Sequence, residues 1–216
     1  MNCGVPYGLC AIRVTRLDSD GNADDDFAVS RRPVTVGFNP NIDQGTDVTA
    51  RDGCGCSVAS IKGRPVFNWF EFTFGKDVLE PAMEALMTGD TPIVAGGLTV
   101  GINGASALDC DEDPAYVAFE FWAKHYVGSA QDATYKHVHW VFPRTRWWWG
   151  DNTQEEGVGR TVLNGVSASN PLWGGGPFGD GPPDGQDVVE WARWFTDDDL
   201  PDATTCGALS TGAIGS

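Results

Sequence analysis

Apolar and polar residues alternate with a period of two through much of this chain, the pattern of strands with one buried face. In residues 9–16, Ile12 and Val14 share one face and Arg13 and Thr15 the other. Residues 32–39 bring Val34, Val36 and Phe38 together, and residues 57–62 read as a further strand. The strongest alternation spans 66–74, where Phe70, Phe72 and Phe74 interleave with Glu71 and Thr73. Its start (Val66, Phe67, Trp69) is apolar on both faces, as in a covered or inter-subunit sheet. In 115–126, Val117, Phe119 and Phe121 oppose Glu120 and Lys124, and in 135–149 Val138, Trp140 and Phe142 line up. Pro143 lacks the N–H a ladder needs, which predicts an edge or a bend there. A strand near 160–168 and a last strand or short helix at 188–195 complete the set.

One segment changes period. Across 78–88, Leu79, Met83, Leu86 and Met87 follow helical spacing. Asp77 is the expected N-cap, with Glu80 three residues on, Pro81 in the first turn and Gly89 as C-cap. The narrow apolar stripe predicts a helix lying on the outside of a sheet. Between the strands, 18–26 reads as a polar turn or loop and 40–52 as a long polar loop. Gly53 and Gly55 permit a tight turn or bulge, and 170–187 is too rich in Gly and Pro for regular structure. No internal repeat and no linker interrupt 1–216, which reads as one domain with a Gly/Pro-rich C-terminal elaboration over 170–216.

Composition strengthens the β reading: 9 Trp and 11 Phe are separated by 28 Gly and 13 Pro. Charge narrows the partners. The net charge is −16, and residues 151–216 hold 11 acidic against 2 basic residues, a local balance of −9. Duplex DNA is retained by clustered cations that displace counterions, so the chain is expected not to hold DNA at physiological salt. The first residues lack a basic start and an apolar run, and no stretch approaches the ~18 apolar residues that cross a bilayer. Synthesis and folding in a cytoplasm, without a membrane anchor, are therefore expected. The six Cys, at 3, 10, 54, 56, 110 and 206, sit in a chain too long to read as a disulfide scaffold.

Candidate chemistry is sparse. His137 and His139 would point to one strand face, as a metal site could use, but His125 is the only other His and no acid stands at a motif spacing. A polar or interfacial sheet face is the plainer reading. Cys54 and Cys56 form a C-x-C pair, closer than structural zinc sites use, and read as buried or turn thiols. Acidic runs at 24–26, 110–113 and 197–199 lack the spaced calcium loop and read as solvated. Trp147–Trp149 could form an aromatic platform for sugars, although a packed edge or subunit contact fits them better. No phosphate loop, nucleophile elbow or zinc-protease motif is present, and no carboxylate pair is marked for glycoside hydrolysis. Neither catalysis nor a metal or other cofactor is expected.

The order of the pieces resembles a known family. The start CGVPYG followed by IRVTRLD, the segment GTDVTARDGCGCSVASIKG, the helix end EALMTGD, the block HWVFPRTRW and the terminal WFTDDDLPDATTCG resemble the major tail protein, or tail tube protein, of long-tailed phages infecting actinobacteria. The resemblance covers most of the chain and is thinnest over 173–184. It implies a mainly β subunit of the tail-tube type, a β-sandwich or barrel with one flanking α-helix and a long polar inter-ring loop. It implies a virion protein whose hexameric rings stack into a hollow tube with a net negative lumen. Its partners would be itself, other tail proteins at the tube ends, a tape measure protein in the lumen and DNA in transit without specific binding. The loop over 41–55 would be mobile in the free subunit and ordered by stacking, with Asp43, Gln44, Asp47, Arg51 and Asp52 near the ring-to-ring contact. Two other classes stay open: a carbohydrate-binding or adhesin-like β module of a virion, and a hydrolase. The placement of the three Trp and of paired carboxyls in a pocket would discriminate them.

Overall fold

A computed structural model describes residues 4–33, 35–51, 53–54, 57–104, 115–152, 160–204 and 208–211. Among them the chain forms β1 (Val5–Leu17), β2 (Ala23–Ser30), β3 (Thr35–Asp43), β4 (Val48–Arg51), β5 (Ser57–Ile61), β6 (Val66–Lys76), α1 (Pro81–Thr88), β7 (Thr91–Ala95), β8 (Leu98–Asn103), β9 (Val117–Val127), β10 (Ala130–Gln131), β11 (His137–Trp149), β12 (Thr161–Ser167), β13 (Ala192–Thr196) and β14 (Ser210–Thr211). Ten strands make one sheet in the order β14-β2-β1-β9-β11-β12-β6-β3, with β10 added to β9 and β13 to β11. Its ladders are antiparallel. The protein is mainly β, a sandwich-type fold with one helix among the described residues.

The sheet curls back over itself. Phe38 on β3 lies 4.9 Å from Trp140 and 5.9 Å from Phe121, although β12 and β6 separate β3 from β11 and β9 in the hydrogen-bonded order. The alternating aromatics of the sequence fill the space between the two layers. Phe72 meets Phe142 edge-on at 4.8 Å, and Phe119 packs on Trp147 at 4.9 Å. Val117, Phe119 and Phe142 are fully buried. Edge-on rings at these separations add about 0.5–1.5 kcal/mol each beyond the burial of their area.

Four local expectations are corrected. The helix begins at Pro81 with Glu80 as N-cap; Asp77 does not cap it, and its carboxylate instead receives Arg160 Nε at 3.2 Å. The helix is buried on more than a narrow stripe, since every residue from Ala82 to Met87 is buried, Glu84 included. Glu84 can be buried because Lys76 Nζ, itself buried, lies 3.0 Å from its carboxylate. Pro143 marks no sheet edge, and the bend alternative matches the bulge-type irregularity beside it. β11 runs through it in mid-sheet, with β13 as neighbour at His137–Val141 and β12 at Thr145–Trp149. The register to β9 slips between Phe142 and Thr145, so the missing N–H falls at the irregularity. Finally, the acidic run 24–26 is no loop but the start of β2; the turn is confined to the residues before it, where Asp18 Oδ1 accepts the N–H groups of Asp20, Gly21 and Asn22.

The opposite face of β1, β9 and β11 is covered as well. Trp173 and Val188 pack on Leu17, Ala118 and Val141. The Gly/Pro-rich stretch is thus an irregular coat over the sheet, as its composition requires. Asn170 anchors it: its buried side-chain amide donates to the carbonyls of Gly21 at 2.7 Å and Pro143 at 3.1 Å.

Candidate functional site

Two ribbons stand outside the main sheet, and they are where the chain offers surface rather than core. The first continues a pair of sheet strands. β3 and β6 pair from Thr35↔Gly75 to Asp43↔Val66, and a few residues on β4 and β5 pair from Val48↔Ile61 to Arg51↔Ser57. Among the described residues β4 and β5 pair with each other and with no strand of the main sheet. At about 3.3 Å per residue, β4 itself spans on the order of 10 Å. The segment read as a polar loop is therefore largely strand, an arm extending the β3/β6 ribbon.

The joint between ribbon and arm is built on two glycines. Gly45 has φ 71° and its N–H donates to Asp43 Oδ1 at 2.8 Å, while the Gly63 N–H donates to Asp47 Oδ1 at 2.9 Å. A Cβ on Gly63 would stand 2.6 Å from the Gly45 carbonyl carbon, so the two backbones cross with no room for a side chain. Of the residues expected at a ring contact, Asp43 and Asp47 thus hold the joint, and Gln44 is exposed between them. Asp52 and the Arg51 side chain lie outside the described residues. Beside the joint, Ile42, Ile61, Val66 and Trp69 are exposed, so the arm root is less polar than the loop reading implied.

The second ribbon, β7–β8, was not anticipated from the sequence. Its turn is Gly96–Gly97, with φ 61° and 80°, the paired positive values of a type I′ hairpin. Gly-Gly between alternating apolar residues was the available signal. Ile93, Val94, Leu98 and Val100 are exposed on it. At its base Val100 and Ile102 line a cleft of about 380 Å³ with Leu79, Pro81 and Trp149.

The remaining candidates resolve into structural roles. His137 and His139 do share a face of β11, and both are buried. His139 stacks on Trp122 at 4.1 Å and 17°, meets Trp194 edge-on, and holds Nε2 3.3 Å from Glu120 Oε1. Burial pushes the His137 imidazole below its usual range. His125 donates from Nδ1 to the Tyr135 carbonyl at 3.0 Å. Among the described residues, His, Cys, Asp and Glu gather in no group of three that could hold a metal. Cys10 is half-buried and burial raises its thiol. Cys54 is exposed at the β4–β5 turn, while Cys3, Cys56, Cys110 and Cys206 lie outside the described residues, as does the run 110–113.

Nor do the three Trp form a platform. Trp147 is buried and donates to Thr145 Oγ1 at 2.8 Å; Trp149 donates to Asp90 Oδ2 at 2.6 Å; Trp148, on the opposite strand face, is exposed. A cleft of about 560 Å³ has two carboxylates, Asp18 and Asp90, in its lining beside Arg16 and Arg144. Asp90 Oδ2 also accepts from Thr88 Oγ1. Bonds from the Asn22 side chain and backbone hold the Asp18 carboxyl below its usual range, the opposite of what a general acid needs.

A feature sequence reasoning missed is the buried ion pair beneath the coat. Arg13 and Glu120 face each other across β1 and β9. Arg13 donates to Glu120 from Nε at 2.6 Å and from Nη2 at 2.8 Å, and Nη2 also reaches Asp180 of the coat at 3.0 Å. Its guanidinium lies 3.7 Å over the Phe178 ring. Burial alone would raise the Glu120 carboxyl, but Arg13, with His139 beside it, outweighs burial and holds it at about 2.

No protein-family model matches the chain, and no curated protein matches it either.

Proposed function

We propose that the chain is a structural subunit of a phage tail tube, polymerising as stacked hexameric rings into the hollow conduit through which genomic DNA is ejected. The observation that carries this reading is the β4–β5 arm, a hairpin that prolongs two sheet strands across a glycine joint and, among the described residues, pairs with no other strand of its own chain. Fixing backbone costs roughly 1–2 kcal/mol per residue. An arm with few contacts on its own body is best explained by a contact with the next ring. The sandwich body supports the reading, because its aromatic core and covered outer face make a rigid block that can be repeated. The charge of −16 supports a conduit from which phosphate slides free. The tube's neighbours in the virion would be tail proteins at its ends and a tape measure protein in its lumen.

Electron microscopy of concentrated purified protein tests the reading directly: rings with sixfold symmetry, or tubes with an open lumen, are expected. A protein that stays monomeric under all polymerising conditions, seen by sedimentation, would refute it. Deleting residues 46–52 should leave a folded subunit that makes no long tubes. Tubes of normal length from that deletion, or an unfolded monomer, would remove the arm as the stacking element.

A further inference from the structure

We propose that the β7–β8 hairpin is a lateral contact through which one copy of this chain binds a second copy. The inference rests on the tube reading and deepens it by assigning the surface that joins subunits, distinct from the arm that would join rings. A two-stranded hairpin alone is marginal in water, and among the described residues this one pairs with no strand of the main sheet. Its apolar side chains are nevertheless turned outward: Ile93 is 49% exposed, Val94 59%, Leu98 42% and Val100 59%. Leu79 at 67% and Trp149 at 38% border the cleft at its base. Ile93 and Val94 are adjacent on β7 and point to opposite sides of the ribbon, so the hairpin carries apolar surface on both of its faces.

Charge selects the occupant. From Thr91 to Gly104 the chain has no charged residue, whereas the whole carries −16. Two copies of so acidic a protein repel over most of their surfaces. A stretch that is neutral and apolar is where they can meet without like-charge cost. A basic partner would instead select carboxylates at its contact; the hairpin has none, and the two in the cleft at its base, Glu84 and Asp90, are buried and already bonded to Lys76 and to Thr88 and Trp149. The Gly96–Gly97 turn gives the ribbon a defined twist and the helix α1 holds its base, so the surface is preformed and little ordering is lost on binding.

The test compares wild type with Val94→Asp/Val100→Asp and with the milder Val94→Thr/Val100→Thr. Sedimentation gives the concentration at which each polymerises; circular dichroism and thermal melting check the fold. Both changes lie on exposed positions, so melting should stay near wild type. Each carboxylate would be buried unpaired in the contact, and the concentration needed for assembly should rise by about a hundredfold or more. The Thr pair should raise it less. Polymerisation of the Asp pair at the wild-type concentration would overturn the inference and leave the tube reading standing. A wild type that never polymerises would overturn both. Unfolding of both variants would show the hairpin to be monomer core and also overturn it. Flotation of wild type with phosphatidylcholine vesicles, lost in the Asp pair while assembly is unchanged, would assign the patch to a membrane instead.

Discussion

Replacing Glu120 by Gln isolates the charge at the centre of the outer layer. The carboxylate and the Arg13 guanidinium are 2% and 3% exposed, joined by two bonds at 2.6 and 2.8 Å. Gln keeps the shape and removes the charge, leaving a buried cation. Two routes give the magnitude. Holding the carboxyl at about 2 rather than 4.5 corresponds to roughly 3 kcal/mol of folding stability near neutral pH. Removing one partner of a buried pair typically costs ~3–5 kcal/mol. Asp180, 24% exposed and bonded to the same guanidinium, stays in place and points to the lower end. Urea titration at pH 7 should therefore show Glu120→Gln destabilised by about 3 kcal/mol, with its slope unchanged. The pH dependence adds a second check. A carboxyl lowered by folding stabilises fully above its unfolded value of 4.5, and that contribution disappears as pH falls toward about 2. Wild type should lose stability over that window, and the Gln variant should lack this part of the loss. The double variant Arg13→Met/Glu120→Leu, apolar on both sides, should recover most of the deficit. A Gln variant within about 0.5 kcal/mol of wild type, or a double variant as weak as the single, would refute the charge argument.

Lys76→Met should cost about 3 kcal/mol in urea melts, because it leaves the buried Glu84 carboxylate without the cation 3.0 Å away; a loss under about 1 kcal/mol would mean Glu84 is otherwise compensated. Gly63→Ala places a Cβ 2.6 Å from the Gly45 backbone and must open the arm joint. It should abolish long tubes in micrographs while the melting temperature moves by less than about 3 °C. Tubes indistinguishable from wild type would show that the joint angle is immaterial to assembly.

How far the sequence discloses this fold depends on which partner covers each strand. β6, β9 and β11 were legible because Phe70, Phe72, Phe74, Phe119, Phe121 and Phe142 recur at every second position and face one core. Arg13 and Glu120 occupy the alternate positions, which read as a solvent face. Only the irregular coat carrying Trp173, Phe178 and Asp180 converts that face into an interior, and nothing periodic marks a coat. β2 was illegible in its first half because Asp24, Asp25 and Asp26 occupy both of its faces. The helix start was misjudged because Asp77 has the right chemistry for a cap, while Pro81 sets the true first turn. In the arm, Asp43 and Asp47 carry the side-chain bonds of a joint, an Asx-type use that sequence does not separate from a loop.

The placement of charges and ribbons separates two free energies that a self-assembling protein has to keep apart. The monomer draws its stability from the aromatic interior and from two buried ionic clusters, Arg13 with Glu120 and Lys76 with Glu84, none of which involves the arm or the β7–β8 hairpin. The ribbons hold much exposed apolar surface, including Ile61, Ile93, Val94 and Val100, and contribute little of it to the body. Under the tube reading, substitutions in the first group should lower the melting temperature of the isolated subunit and leave the assembly concentration of the folded fraction nearly unchanged. Substitutions in the second should do the reverse. Sites this far from a shared partner behave additively, so combining Glu120→Gln with Gly63→Ala should produce the sum of one stability defect and one assembly defect. A combined effect well beyond that sum would mean that the body transmits strain to the joint and that the two functions are not separable in this fold.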